Sequence, residues 1–392
     1  RAARAARLTR PWDAEAVERW MRRRNADHGS PHNGMAPQIQ LRDVRAQNLR
    51  IDRLAIPARG LTALTGVSGS GKSTLLDAVL YRNWRRRSGR PAEEIGEVGR
   101  IEGLEAFAET HLIGQDPLGR SSRSNPISFV KAYGEIRALL SGTIAARQRR
   151  LGPGAFSFNV KGGRCEACRG LGTQVVEMYF LPDVEATCER CAGRRFRAEI
   201  LEVHWRGRNI HQILEMTVDQ AAGFFRSQPR LLQRLAPLQE VGLGYVTLGQ
   251  STATLSTGEA QRLRLAAFLA KGETEERHLF LFDEPTTGLH ARDVGRLLRA
   301  LRALLARGHS MIAVEHQLDF VAAADWVIDL GPGAGREGGR IVFAGPVTGL
   351  LTHGASATGA ALRDHLERRT RWMEAGQKPP MQATSDPTPR AP

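Results

Sequence analysis

The sequence lacks the features of a membrane or secreted protein. No window approaches the roughly eighteen consecutive apolar residues of a membrane span, and the first ten residues lack the apolar core of a secretory signal. These absences count against a membrane-embedded exporter and predict a soluble, cytoplasmic protein. The first residue is Arg1 rather than Met, which predicts a piece of a longer reading frame.

Acidic residues are too few to balance the basic ones. The chain of 392 residues has 56 Lys and Arg against 41 Asp and Glu, a formal net charge of +15. Such an excess favours a polyanionic partner such as nucleic acid. Nearly all of it is Arg, which a biased genome would also produce, so the motifs must decide between the two explanations.

Composition and hydrophobic pattern divide the chain into five segments. Apolar strand patterns that alternate with helical ones are typical of an α/β nucleotide-binding core, and here an insertion interrupts them. The predicted segments are a linker or remnant of a preceding region at 1–37, the first part of the core at 38–125, the insertion at 126–249, the second part of the core at 250–369, and a disordered Pro- and Gln-rich tail at 370–392.

A phosphate-binding loop follows the first buried strand of the core. Residues 66–73 read Gly-Val-Ser-Gly-Ser-Gly-Lys-Ser, which matches G-x-x-x-x-G-K-S between a strand at Leu61–Thr65 and a helical run at Thr74–Arg82. Backbone N–H groups of such a loop surround the phosphates, and the lysine adds a positive charge. The residues predicted to bind ATP are Gly66, Ser68, Gly69, Ser70, Gly71, Lys72, Ser73 and Thr74.

A second strand of the core ends in two carboxylates. The apolar run His278–Phe282 leads directly into Asp283 and Glu284. Alone, this pattern is often only a solvated strand end, but downstream of a phosphate loop it predicts a magnesium site. We expect Asp283 and Ser73 to bind Mg²⁺ and Glu284 to polarise the water that attacks the γ-phosphate.

A capped helix precedes that strand. Ser256 stands three residues before Glu259, which is the spacing of a capping box, and the cap aims free backbone N–H groups outward as an anion site. On spacing alone, an ordinary capped helix is the favoured interpretation.

The cysteines occur in two close pairs within the insertion. The pairs are Cys165-x-x-Cys168 and Cys188-x-x-Cys191. This pattern is typical of a closed tetrathiolate zinc site, which staples a small domain and has no open position for catalysis. Two disulfides, or free thiols in a core, are the alternatives. The predicted zinc module covers about 160–198 and contains a β-hairpin.

Basic residues surround the cysteine pairs. They favour sequence-independent contacts with DNA phosphates, although a solvated charged face would look the same. The predicted DNA-binding residues are Lys161, Arg164, Arg169, Arg190, Arg194, Arg195 and Arg197.

Seven stretches of the chain carry a resemblance to one protein family. They are residues 66–74, 119–126, 156–165, 176–183, 248–262, 282–290 and 324–333. From about Ile39 to Leu366 the chain resembles the C-terminal, zinc-bearing half of the UvrA family of ABC ATPases. The resemblance implies an α/β fold: an ABC-type P-loop ATPase core with an inserted helical signature domain and a small zinc-binding module.

The resemblance also implies residue roles and partners. Ser256, Gly258 and Glu259 match the ABC signature, which contacts the nucleotide of an opposing half in a head-to-tail dimer. Gln115 and His316 occupy the positions of the glutamine loop and the switch histidine. The cofactors would be ATP, Mg²⁺ and Zn²⁺. The partners would be duplex DNA, preferably damaged, UvrB, and a second ABC half, either the chain's own missing half or another chain.

The implied function is that of the ATP-hydrolysing, damage-recognising subunit of nucleotide excision repair, a member of the excision complex but not its nuclease. The chain departs from the family at Thr257, where glycine is usual, and it shows one phosphate loop and no UvrB-docking domain. We therefore expect a C-terminal half or fragment. The alternatives are a diverged UvrA-like ATPase of drug self-resistance and a regulatory ABC protein that does not bind DNA.

Overall fold

The computed structural model describes residues 37–114, 123–176, 184–271 and 276–374. These residues form two compact units. The first comprises 37–114 with 276–374, and the second comprises the described residues between 123 and 271.

The strands are numbered in chain order. They are β1 (Gln38–Ala46), β2 (Leu49–Pro57), β3 (Gly60–Gly66), β4 (Glu97–Glu102), β5 (Glu109–Ile113), β6 (Thr173–Val176), β7 (Val184–Thr187), β8 (His278–Asp283), β9 (Ser310–Val314), β10 (Trp326–Gly331) and β11 (Arg340–Pro346).

The helices follow the same convention. They are α1, a continuous run of Lys72–Thr74, Leu75–Tyr81 and Arg82–Arg87, then α2 (Pro126–Phe129), α3 (Tyr133–Ser141), α4 (Ile144–Gln148), α5 (Ala198–Leu201), α6 (Ile210–Leu214), α7 (Val218–Phe224), α8 (Pro229–Glu240), α9 (Thr257–Leu269), α10 (Ala291–Ala306), α11 (Leu318–Ala323), α12 (Val347–Thr352) and α13 (Ala357–Glu374).

Two sheets build the first unit. The smaller sheet has the order β2-β1-β4 and is antiparallel. Its β1–β2 pair confirms the antiparallel pair expected from the alternation of apolar residues, with Ile39 opposite Ile56 and Leu41 opposite Leu54, all buried. The larger sheet has the order β11-β10-β3-β9-β8-β5 and is parallel except for β11.

This strand order sets the position of the predicted site. Strands β3, β9 and β8 are neighbours and run in the same direction. Their carboxyl ends, Gly66, Val314 and Asp283, therefore lie along one edge of the sheet. The helix predicted after the phosphate loop is present, but its middle segment, Leu75–Tyr81, is a π-helix.

The second unit is mainly helical and contains the cysteine pairs. Strands β6 and β7 form the antiparallel hairpin expected between those pairs, although residues 177–183 lie outside the described residues. Helix α9 belongs to this unit rather than to the second part of the core, which the sequence predicts to begin at residue 250. It packs against α2 and α8, and Arg234 of α8 donates to the carbonyl of Ala270 at 3.2 Å.

The C-terminal helix is longer than expected. Helix α13 continues through Glu374, past the point at 370 where a disordered tail was predicted, and residues 375–392 lie outside the described range. Residues 1–36 lie outside it as well. Among the helices of the described residues, none combines the length and apolarity that a membrane crossing requires.

Three histidines meet near the amino ends of β8 and β9. His111 Nε2 lies 3.0 Å from His278 Nδ1, and the backbone N–H of His278 donates to His309 Nδ1 at 3.3 Å. Burial, followed by the charges of His278 and Arg307, lowers the pKa of His309 to about 4. Because the ordinary value is near 6.5, the unfolded chain binds more protons than the folded one between these two pH values.

The folded state should therefore lose stability as the pH falls from about 6.5 toward 4. We predict that His309→Asn, which keeps an acceptor for the His278 N–H, shows a smaller decrease in the urea midpoint between pH 7 and pH 5 than the parent chain. The exposed His204 provides a matched control, because His204→Asn should leave the pH dependence as it is. Equal pH dependence in all three chains would contradict the assignment to His309.

Candidate nucleotide-binding site and cysteine cluster

The phosphate loop begins where β3 ends. Gly66 has a φ of 133°, and a Cβ on this residue would lie 2.1 Å from the carbonyl oxygen of Leu330. Only glycine can occupy this position, because the neighbouring strand approaches the loop so closely. Gly69 and Gly71 also have positive φ values, so the backbone turns repeatedly before α1 begins at Lys72.

Other segments of the first unit hold the loop from outside. Backbone N–H groups of Gly335 and Gly339 donate to the carbonyls of Gly69 and Ser70 at 3.0 and 3.1 Å. The Asn48 side chain, at the turn between β1 and β2, also donates to the Gly69 carbonyl at 3.0 Å. These contacts bind loop carbonyls, which fixes the loop conformation around the residues predicted to cradle phosphate.

Lys72 is buried beneath the loop. Its ammonium group donates to the carbonyls of Gly66 and Val67 at 2.9 and 2.8 Å. Burial lowers the pKa of Lys72, while the negative charges of Glu284, Asp283 and Asp329 act to raise it. The structure thus brings the predicted lysine into the electric field of both predicted acids. Ser68 and Ser73 are exposed, Ser70 is buried within the loop, and Thr74 is half-buried in α1.

Asp283 is the last residue of β8, and Glu284 follows it at the same sheet edge. Burial raises the pKa of Asp283, the charge of Glu284 adds to this effect, and Lys72 and His316 oppose it. Glu284 adopts a left-handed conformation with a φ of 50°, and its N–H donates to the carbonyl of Val314 at 3.0 Å. Its carboxylate lies 3.3 Å from His316 Nε2. Gln115, the predicted glutamine-loop residue, lies outside the described residues.

The capping box predicted before α9 is present. The Ser256 hydroxyl accepts from the N–H of Glu259 at 3.3 Å, and the Glu259 carboxylate accepts from the N–H of Ser256 at 2.8 Å. The hydroxyl of Tyr245 donates to the other oxygen of Glu259 at 2.6 Å. Burial alone would raise the pKa of Glu259, but hydrogen bonds from Tyr245 and Ser256 outweigh it and lower the pKa. Within the first turn, Thr257 is exposed and Gly258 is buried.

The four cysteines form one buried cluster. All four sulfur atoms lie within 4.8 Å of one another, and the cysteines are unpaired thiols rather than disulfides. The sulfurs of Cys168 and Cys191 are 3.7 Å apart. A tetrahedral zinc with bonds of about 2.3 Å separates its thiolates by about 3.8 Å, so Cys165, Cys168, Cys188 and Cys191 fit a zinc ion.

The two cysteine pairs share one backbone geometry. After each second cysteine, two successive residues have positive φ: Arg169 and Gly170, and Ala192 and Gly193. At Gly170 an added Cβ would lie 2.0 Å from the carbonyl oxygen of Phe158, so a side chain is excluded there. The turn brings backbone N–H groups toward sulfur, and that of Gly172 donates to Cys168 Sγ at 3.3 Å.

The basic residues of the cysteine module differ in their surroundings. Arg164 is buried, with its guanidinium held by the Glu166 carboxylate and the Asn159 carbonyl. Arg195 donates to the carbonyl of Gly249 at 2.9 Å. Arg194 and Arg197 also donate to carbonyls within the second unit, those of Cys191 and Gly162. The exposed members of the predicted set are Lys161, Arg169, Arg190, Arg194 and Arg197.

Several polar neighbours of the site were not predicted from the sequence. Asn48 contacts the phosphate loop, and Tyr245 contacts the capped helix. Glu315 accepts from the backbone N–H of His316. Asn48 is far from its partner in sequence, and Tyr245 lies outside the capping motif. The only local signal was at Glu315, a charged residue at the end of an otherwise apolar strand.

Comparisons with known proteins agree with this geometry. Residues 49–81 match a family model described as the P-loop containing region of AAA domain. The chain is 47% identical over 332 residues to UvrABC system protein A of Aquifex aeolicus, which covers 84% of this chain and 36% of that protein. For UvrABC system protein A of Staphylococcus aureus the identity is 45% over 331 residues, covering 84% of this chain and 35% of that protein.

A solved structure agrees over a similar span. UvrA2 from Deinococcus radiodurans superposes with a TM-score of 0.76 at 41% identity, over 86% of this chain and 41% of that one. The fold is thus α/β: an ABC-type P-loop ATPase core, an inserted helical unit and a small module with four clustered cysteines. The chain spans well under half the length of these relatives. With this identity over more than four-fifths of its own length, the chain belongs to the UvrA family.

Proposed function

We propose that this chain is the ATP-hydrolysing, DNA-binding C-terminal half of a damage-recognition subunit of nucleotide excision repair. It acts in the cytoplasm on duplex DNA, preferably damaged, and its protein partners are UvrB and a second ABC half. The observation that carries this proposal is the meeting of Lys72, Asp283, Glu284 and His316 at one sheet edge in a chain of the UvrA family.

Each residue at this edge has a role in the proposed hydrolysis. The phosphate loop binds the β- and γ-phosphates, and Lys72 adds a positive charge beside them. Ser73 and Asp283 offer hydroxyl and carboxylate oxygens, the ligand types that Mg²⁺ prefers. Magnesium, when bound, neutralises charge on the phosphate oxygens. Glu284 accepts a proton from the attacking water, and His316, 3.3 Å from that carboxylate, orients it.

The site requires a second half in this proposal. The N–H groups at the start of α9, capped by Ser256, are the anion site for a nucleotide bound to an opposing half. Thr257 adds a side chain at the first turn of α9, where the family usually has glycine. Gly258 and Glu259 complete the signature, and Gln115 serves as the glutamine-loop residue.

We predict that hydrolysis rises with protein concentration or on addition of the missing half. Glu284→Gln should bind ATP but lose activity by a factor on the order of 10² to 10⁴, because a general base supplies an effect of that size. Mixing Lys72→Ala with Gly258→Asp should restore part of the activity, because the mixed pair keeps one intact site. Steady-state ATPase assays over a concentration series measure the three activities, and equilibrium titration with ATP measures binding by Glu284→Gln.

A matched control for these assays is Asp52→Asn, which removes an exposed carboxylate of the same unit that pairs only with Arg45 among the described residues. Its activity should equal that of the parent chain. Hydrolysis that is independent of concentration in a demonstrated monomer, with no rescue on mixing, would contradict the paired site.

We further propose that the cysteine cluster holds one Zn²⁺ and that the ion is structural. Four thiolates leave no open position on a tetrahedral ion, so the ion stabilises the module and takes no part in hydrolysis. The exposed module residues Lys161, Arg169, Arg190, Arg194 and Arg197 contact DNA phosphates in this proposal.

We predict one zinc per chain in protein purified under reducing conditions, measured by mass spectrometry of the metal. Cys188→Ser should lose the zinc and lower the melting temperature, yet keep ATP affinity, because the phosphate loop belongs to the other unit. His204→Asn should keep its zinc, since this exposed histidine lies outside the cluster. A zinc-free parent chain would refute the assignment.

Binding to duplex DNA should weaken steeply with salt and depend little on base sequence. We predict that the double variant Arg190→Glu/Arg194→Glu reduces the slope of log affinity against log salt by roughly 0.9 per lost phosphate contact. The control is Arg42→Glu/Arg53→Glu, which makes the same charge change at exposed, paired positions of β1 and β2. Equal salt slopes for the two double variants would mean that Arg190 and Arg194 do not contact DNA.

A further inference from the structure

Glu315 is a buried acid that the proposed hydrolysis does not use. It follows the last residue of β9 and is only 2% exposed. A carboxylate at such a depth is unstable unless hydrogen-bond donors surround it. Its donors are three backbone N–H groups: Thr286 at 2.8 Å on one oxygen, and His316 at 3.0 Å and Gln317 at 3.2 Å on the other.

These donors come from two different loops of the first unit. Thr286 lies two residues after Glu284 in the loop that follows β8, whereas His316 and Gln317 belong to the loop that follows β9. Glu315 therefore links the two loops through their backbones. A side-chain contact could be replaced by another side chain, but three N–H groups that converge on one carboxylate fix the backbone of both loops.

The loop after β8 needs such support. Glu284 has a φ of 50°, in the left-handed region, which is unfavourable for a residue other than glycine and persists only when the surroundings hold it. Two backbone hydrogen bonds hold the chain at and just after this residue. Its own N–H donates to Val314, and the N–H of Thr286 donates to Glu315.

The side chains that the two loops carry meet at the proposed site of hydrolysis. One oxygen of Glu284 lies 3.3 Å from His316 Nε2, and the other accepts from the hydroxyl of Thr287 at 3.2 Å. The position of the Glu284 carboxylate thus depends on both loops at once. Glu315 itself is too deeply buried to touch a nucleotide, so it can act only through these neighbours.

We propose that Glu315 is a positioning residue, which ties the loop after β8 to the loop after β9 and so keeps Glu284 and His316 together at the γ-phosphate. This inference rests on the proposed ATPase function. The role requires a carboxylate at this position. Glutamine has the same shape, but its amide NH₂ group would replace one accepting oxygen and would face backbone N–H groups, which are also donors.

The test is Glu315→Gln in the full chain, assayed at the protein concentration where ATPase activity is greatest. We expect kcat to fall on the order of 10- to 100-fold, because small displacements of catalytic groups have effects of this size, while KM for ATP stays the same. In a His316→Ala background the same substitution should have a smaller effect, since the pair it positions is already broken. Glu315→Asp keeps the charge but is shorter, so it should give a partial loss and supplies the comparison if Glu315→Gln does not fold.

The matched control is Asp325→Asn. Asp325 is another buried carboxylate of the first unit, which accepts from the N–H of Leu61 at 2.9 Å and from Arg302, at the amino end of β3 and away from the phosphate loop. This variant should lower the melting temperature at least as much as Glu315→Gln but leave kcat unchanged. The proposal would be overturned if kcat fell in both variants, in proportion to the decrease in melting temperature of each.

Hydrogen exchange supplies a readout that does not depend on hydrolysis. In the nucleotide-free chain, Glu315→Gln should speed exchange in peptides covering both 284–288 and 314–318, whereas Asp325→Asn should not. Faster exchange in only one loop, or in neither, would refute the link. If the parent chain shows no hydrolysis that depends on Lys72, the proposed ATPase function fails, and the exchange result still decides the role of Glu315.

Discussion

The attraction between Lys72 and the acids that follow β8 is the interaction on which the rest of the first unit depends. Burial disfavours the charge of Lys72, and Glu284 and Asp283 oppose that effect; burial likewise disfavours the charge of Asp283, and Lys72 opposes it. Each charge therefore reduces the cost of burying the other at the sheet edge. The neighbouring order of β3, β9 and β8 is what brings them together.

Buried acids with backbone or hydroxyl donors then fix the loops around this pair. Asp329 accepts from three hydroxyls, those of Thr65, Ser356 and Thr358, at 2.6 to 2.8 Å. Glu315 accepts from N–H groups of two loops. Each acid forms more than one hydrogen bond, at least one of them to a distant part of the chain, and a buried acid left without donors is strongly unfavourable. Such groups therefore select one arrangement of the loops from the many that apolar packing alone would allow.

Motifs whose chemistry is local could be predicted from the sequence, and contacts between distant segments could not. The capping box at Ser256 and the antiparallel pair β1–β2 follow from spacings of a few residues, and both are confirmed. The contact of Asn48 with the phosphate loop joins segments that no local pattern relates. The predicted end of the insertion differs from the structure for the same reason. Helix α9 packs against α2 and α8, and the sequence of a helix does not identify the elements against which it packs. The roles of the site residues remain predictions.

The capping box also sets a condition on the proposed pairing of two halves. The Ser256 hydroxyl donates to the Glu259 carboxylate at 2.9 Å, and Tyr245 holds the second oxygen of that carboxylate. The partial positive charge at the amino end of α9 is thus already neutralised by the Glu259 carboxylate of the same helix. A phosphate from an opposing half must compete with this carboxylate for the same hydroxyl, and exchanging one anionic acceptor for another changes the free energy little. The nucleotide's own charge, rather than this single hydroxyl, must therefore supply most of the attraction between halves.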